Sequence, residues 1–595
     1  MRPLLPSRSP FFQRGRPSFR LVGLAAALML WACSAGTPVL HNVTPVDSRT
    51  GLPQPPSQSA AAVAPAAAQQ AIDAAVFRQQ IETLASDDFE GRNVGTLGEQ
   101  RTVDYLRSTF RQLGLKPGNP DGTWVQDVPL TRHRSQAAAT VTLRDGTAVN
   151  WKAPDQLIAW SFERQAAVDV AASDLVFVGY GVTAPEYQWD DLKGVDLKGK
   201  TVVMLINDPQ VPDPQDPTRL DPAVFKGEAM TYYGRWTYKF EQAAAHGAAA
   251  ALIVHETRAA AYPWSVVVNS WSRDNFDIRR AGPNPSFPPV AGWISVETAR
   301  ALFKASGTDF DQQKRAALSR GFQPLALGAH IQLHVNNTWD DLASHNVVAR
   351  LPGSDPVQGQ ETIVYSAHWD HFGWDPSLPG TKHDQIFHGA LDNASGVAAL
   401  LQIAHAFATL PLAPRRSILF VATTAEERGL LGAQYYAEHP LYPLAQTVAD
   451  INMDGMNPAG RTHDIEVVGY GNSDLDQRLV QAAALQGRVV RPDTNTASGS
   501  FYRADHFEFA KVGVPALYTK VGSDYVDKPA GFGEQRRARY TEHDYHKVTD
   551  VPDPGWDLAG AVEDARLLFQ VGYGLAQDGT WPRWARDSEF RARRP

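Results

Sequence analysis

The chain has a single cysteine in 595 residues. That scarcity excludes a disulfide framework and every thiolate metal site, so any metal must be held by His, Asp and Glu. A surplus of positive charge is also missing, because 56 Lys and Arg stand against 64 Asp and Glu for a net charge of −8. Beyond the first twenty residues there is no long basic run, and a nucleic-acid partner therefore has no electrostatic footprint. An apolar stretch of the ~20 residues a helix needs to cross a bilayer is absent too; the run Leu21 to Ala32 covers 12. What remains is ordinary globular composition, 43% hydrophobic and 20% charged, enough for a large packed core.

At the N-terminus, Arg2, Arg8, Arg14, Arg16 and Arg20 precede that apolar run, and Cys33-Ser34-Ala35-Gly36 follow it. Basic, then apolar, then small is the order of a secretory signal. Leu30-Trp31-Ala32-Cys33 resembles the bacterial lipobox, whose cysteine is lipidated and becomes the mature N-terminus; Trp31 departs from the small residue usual at its position. The alternative is a signal cut near Cys33-Ser34-Ala35 that leaves no anchor. From Ser34 to about Ala71 the chain is rich in Ala, Pro, Ser and Gln and reads as a flexible tether. The expected location is outside the cytoplasm, as a periplasmic protein, an outer-membrane lipoprotein or a secreted protein.

Residues Ile72 to Leu115 carry helical spacings on both sides of a polar turn, Ser86 to Thr96 (SDDFEGRNVGT). Between about 161 and 327 lie strand-like runs at Leu175 to Gly181, Lys200 to Ile206 and Ala251 to His255, with a helix ending at Gly247, which together read as a small α/β unit. From Asn346 onward apolar strands alternate with helices, the pattern of a mixed, mostly parallel α/β sheet covered on both faces. Functional groups in such sheets gather at the carboxyl ends of the strands.

Three successive strands end in ligand-type residues: His368-Trp369-Asp370-His371, Ala425-Glu426-Glu427 and Met453-Asp454. Between the first two lies Gly389-Ala390-Leu391-Asp392-Asn393-Ala394-Ser395-Gly396 at a helix start, and near the C-terminus Asp544-Tyr545-His546 with Asp550. One acid after a strand is commonplace. A paired Glu-Glu among three such strand ends is harder to explain without a divalent cation, because buried carboxylates are costly without countercharge.

In order and approximate spacing these motifs resemble the co-catalytic zinc aminopeptidases, family 28 of the metallopeptidases. Ser86 to Thr96 resembles the glycine-rich turn of that family, and Tyr502-Arg503-Ala504-Asp505-His506 its late Ser-Asp-His stretch, with Ala504 in place of serine. The resemblance implies a zinc-exopeptidase (phosphorylase/hydrolase-like) fold over residues 72–160 and 328–595, with 161–327 similar to a protease-associated insertion. It implies two zinc ions, with cobalt or manganese as substitutes: Asp392 bridging, Glu427 and His546 completing one site, His368 and Asp454 the other. Asp370 is implied to orient His368, Glu426 to act as general base, and the Asp392–Asn393 peptide to be cis.

His543 competes with His546 as the last ligand, while His371, His383 and His388 read as loop or pocket residues. Peptides are the expected partners, and oligomeric state is open. Two other activities fit the scaffold: a glutaminyl cyclase, with Trp369 and Trp374 lining its pocket, and a carboxypeptidase for acidic residues, which needs arginines such as Arg503. A non-catalytic receptor is disfavoured because no ligand is missing.

Overall fold

The computed structural model describes residues 62–594. The secretory signal, Cys33 and most of the tether lie outside the described residues. Among the described residues no helix is long and apolar enough to cross a membrane.

The strands Thr362–His368, Ser417–Thr423 and Thr447–Asn452 are buried at every position. Their Val, Ile, Phe and Thr content suits strands sandwiched between helices, where both faces are apolar. Ile363, Tyr365 and Ala367 enter one core with Val397 and Leu568 of the helices Ser395–Ala408 and Ala559–Gln577. Val364 points the opposite way, to Tyr436 and Phe509 of the helices Leu431–Glu438 and His506–Lys511. The period of two along one strand thus divides the domain into its two helical layers.

The Thr362 strand lies between the other two, parallel to both. The sheet continues past Thr447–Asn452 to Ala516–Val521, Asp464–Val468 and Val489–Pro492, and past Ser417–Thr423 to the antiparallel strand Leu325–Leu351. This last element spans 27 residues. Its C-terminal end pairs Val347 to Ala422, and its N-terminal half pairs with Ala167–Phe177. From there run Thr201–Leu205, Ala250–His255 and Val290–Ser295, all parallel, so the α/β unit read at 161–327 continues the same hydrogen-bonded sheet. Along its outer side the long strand also pairs with Val125–Thr142. Both long strands alternate buried and exposed residues, as a ribbon with one wet face does.

The last residues assigned to the tether are built differently from that reading. Ala66–Gln70 is helical, and Ala64 and Ala68 are buried. The Gln570 side chain accepts from the Ala64 N–H at 2.8 Å and donates to the Ala62 carbonyl at 2.8 Å, while Arg566 donates to the Gln69 and Ile72 carbonyls. Alanine-rich composition looks like a linker, but methyl side chains also let a backbone lie close against a helix that supplies its hydrogen bonds.

At Gly572, in the middle of the helix Ala559–Gln577, an added Cβ would collide with the hydroxyl of Tyr365, which donates to the Leu568 carbonyl at 2.8 Å. Ala is favoured over Gly in a helix by about 1 kcal/mol, but overpacking costs about 1–3 kcal/mol and the displaced hydrogen bond about 1 more. Gly572→Ala is therefore expected to destabilise the protein by about 1–3 kcal/mol in denaturant melts. In a Tyr365→Phe background the same change should cost less, since the colliding oxygen is gone.

Candidate metal centre

The parallel strands deliver His368, Glu426-Glu427 and Asp454 to one end of the sheet, where the turn holding Asp392 starts the helix Ser395–Ala408. His368 Nδ1 lies 3.2 Å from the Asp370 carbonyl oxygen, so that nitrogen carries its hydrogen and Nε2 is free. Nε2 faces Asp392 Oδ1 at 3.3 Å, Asp454 Oδ1 at 3.4 Å and Glu426 Oε2 at 4.0 Å. His546 Nε2 approaches from the other side, 3.1 Å from Asp392 Oδ2 and 3.3 Å from Glu427 Oε2. Tyr545 stacks on the His546 ring at 3.7 Å, and Phe372 meets its edge at 4.7 Å.

The backbone around these donors is held from behind. Asp550 accepts from the N–H groups of Leu391 and Asp392, each at 3.0 Å. The Asn393 side chain donates to the Met453 carbonyl at 3.0 Å and accepts from Gly455 at 3.0 Å, linking the Asp392 turn to Asp454; the Asp392–Asn393 peptide is cis. Asp370 accepts from the Glu426 N–H at 3.0 Å and so holds the Glu-Glu turn. Arg92, fully buried, donates to the carbonyls of Leu84, Trp369, His388 and Gly389 at 2.6–2.9 Å. One guanidinium fork thereby joins the SDDFEGRNVGT turn to the backbone on both sides of the site.

Negative charge is in excess here. Burial pushes Glu426 well above the ordinary carboxyl range, with Glu427, Asp454 and Asp505 adding to the effect. Burial likewise lifts Asp370 to about 6 and Asp505 to about 7. It lowers Arg92 to about 10, which leaves that group cationic at neutral pH. The donors fall into two overlapping groups, His368/Asp392/Asp454 and His371/Asp392/Glu427, each with its donor atoms within 4.8 Å of one another. Imidazole and carboxylate donors converging without matching countercharge fit divalent cations such as zinc.

Each residue singled out in the sequence has a place. His368, Asp370, Asp392, Glu426, Glu427, Asp454 and His546 come together; His543 is exposed beside Glu542. Of the two readings of His371, loop or pocket residue, its surroundings are those of a pocket residue: it is buried, its Nδ1 lies 2.7 Å from Glu427 Oε1, and among the described residues its Nε2 has no hydrogen-bond partner. The signal was present, since His371 directly follows Asp370. Trp369 departs from its reading as a pocket wall, being buried and donating to the His345 carbonyl at 2.9 Å. His506 is a neutral core residue against Phe501 and Tyr518, with burial lowering it to about 3.

Such an arrangement, carboxylates and imidazoles around a shared Asp with a further Glu beside them, is suited to metal-dependent hydrolysis. Residues 346–569 match peptidase family M28. That segment carries every metal-donor residue named above. Over 184 residues it is 33% identical to aminopeptidase NAALADL1 of Mus musculus, covering 28% of this chain and 23% of that protein. Over 243 residues it is 27% identical to a probable glutamate carboxypeptidase of Arthroderma benhamiae, covering 37% of this chain and 32% of that protein. The match therefore spans a third or less of the length of these curated relatives. A solved aminopeptidase from Aneurinibacillus sp. strain AM-1 aligns over 86% of this chain and 96% of its own, at 19% identity and a TM-score of 0.47.

Arg92→Lys keeps the charge but loses the planar fork, and one ammonium cannot reach four carbonyls from a single point. Zinc affinity in competition with a chromogenic chelator is expected to fall about 10–100-fold, the usual loss when a group that orients ligands is removed.

Proposed function

We propose that the chain is a metal-dependent exopeptidase, an aminopeptidase that hydrolyses N-terminal residues from peptides with two zinc ions bound. The observation that carries this reading is the disposition of Asp392, whose Oδ1 faces His368 and whose Oδ2 faces His546, 3.3 and 3.1 Å away. One carboxylate is offered to two donor sets. Glu427 and His546 would complete one set and His368 and Asp454 the other, with cobalt or manganese as substitutes. Bound there, the cations would acidify water and polarise the scissile carbonyl.

The protein's own groups do the rest. Glu426 takes the proton from the attacking water and passes it to the leaving amine; its burial raises its basicity for that task. Asp370 holds the Glu426 backbone in place. His371 donates to Glu427 Oε1 and leaves Oε2 turned toward His546. Export, with attachment through Cys33, belongs to the same reading and rests on the N-terminal sequence.

A specific observation favours a second reading, a carboxypeptidase for acidic residues. Arg503 lies two residues before Asp505, whose carboxylate accepts from Thr423 at the end of a central strand. Arg235, from the segment 161–327, lies close enough for the two cations to repel, with Tyr262 beside both. Among the described residues neither guanidinium has an ion-pair partner, and Arg235 Nε, Arg503 Nε and Arg503 Nη2 are buried without acceptors. Two such groups call for an anion, and a substrate carboxylate supplies one.

A panel of aminoacyl chromogenic substrates and of peptides ending in Glu or Asp, each with and without chelator, separates the readings. Chelator-sensitive release of N-terminal residues is expected; release only of C-terminal acidic residues would transfer the assignment to the second reading. Glu426→Gln is expected to lower kcat by about 10²–10⁴-fold while metal content stays unchanged, and an unaltered kcat would remove Glu426 from the mechanism.

A further inference from the structure

A second cluster of donors lies apart from this centre, where the turn Asp87–Arg92 meets the loop between Trp374 and Phe387. Asp87, His383 and His388 present one donor atom each within 4.8 Å of one another. His383 Nδ1 is 2.7 Å from Asp87 Oδ1, and His388 Nε2 is 3.8 Å from the same oxygen. The two imidazoles lie 4.7 Å apart, His388 buried and His383 exposed.

The protonation of His388 is decided by its neighbours. Its Nδ1 is 2.8 Å from the Ala85 carbonyl oxygen, which can only accept, so the hydrogen sits on Nδ1. Nε2 then carries a lone pair, yet it faces the His383 carbonyl oxygen at 3.2 Å and the Asp87 carboxylate, both acceptors. A buried lone pair aimed at two acceptors is repulsive unless a second proton or another cation lies between them. Burial acts against the proton, lowering the pKa of the ring.

We propose that Asp87, His383 and His388 form a separate binding site for a divalent transition-metal cation of the zinc type, held by Asp87 Oδ1, His383 Nδ1 and His388 Nε2. Two imidazoles, a carboxylate and a position open to water make a donor set suited to zinc. Bonds of about 2.0–2.1 Å place tetrahedral donors about 3.3 Å apart. His383 and Asp87 therefore separate slightly from their 2.7 Å contact, a rotation open to two exposed side chains.

Occupation of the site would staple the loop to the turn. Lys382 and Glu90 already join the same two segments at 2.6 Å. The His388 carbonyl is in turn held by Arg92, so the staple is anchored on the backbone leading to Asp392.

The test is equilibrium dialysis of the full chain against micromolar Zn²⁺, with bound metal counted per chain for the wild type, His383→Ala and Asp87→Asn. Both substitutions are at exposed positions, and circular dichroism checks their folding. The wild type is expected to hold one equivalent more than either variant, and added Zn²⁺ to slow proteolysis of the 375–387 loop in the wild type only. Equal metal content in all three proteins would overturn the proposal, whatever number of ions the central site retains.

Discussion

Everything in this molecule is arranged around an electrostatic cost. Asp370, Asp392, Glu426, Glu427 and Asp505 are withdrawn from water at one end of a sheet, with Asp454 beside them, and burial by itself disfavours the charged forms of those five. Arg92 is a fully buried cation at this end of the sheet, and its four hydrogen bonds all go to backbone carbonyls. It shapes the site and offsets only part of its negative charge. The remaining charge is a demand for cations, and the Asp392 turn, Asp550, Asn393 and Asp370 keep the donors assembled while that demand is met.

The sheet makes the assembly affordable in conformational terms. Parallel neighbours end at the same level, so His368, Glu426-Glu427 and Asp454 are brought together by register rather than by long loops. Helices on both faces exclude water from the strands beneath, and the donors inherit that dry floor. Asp392 comes from the turn before the helix Ser395–Ala408, and His546 from an irregular segment after the helix Phe532–His543, where the rings of Tyr545 and Phe372 fix its orientation.

Much of this was legible in the sequence. Apolar strands ending in polar clusters mark the sheet and the donors because both depend on local pattern, residue type and spacing. The cluster of His371 on Glu427 was not read from it, since adjacency to Asp370 does not tell which way a side chain turns. The place of Trp369 is hidden for the same reason: a tryptophan next to a ligand lines a pocket or fills the core depending on backbone direction alone. The strands Val125–Thr142 and Leu325–Leu351 alternate regularly, but polar residues at every second position resemble loop composition and hide them in the sequence. The pairing of Arg235 with Arg503 joins residues far apart in the chain and has no local signature at all.

The strand Leu325–Leu351 has a mechanical meaning. It is one uninterrupted beam that carries central strands at one end and the 161–327 segment at the other. Segments joined by a flexible linker open like a jaw, whereas segments sharing a hydrogen-bonded beam move only as far as the beam bends. The 161–327 segment, and Arg235 with it, is therefore held on the same sheet as the donor-bearing strands by backbone hydrogen bonds and not by a hinge.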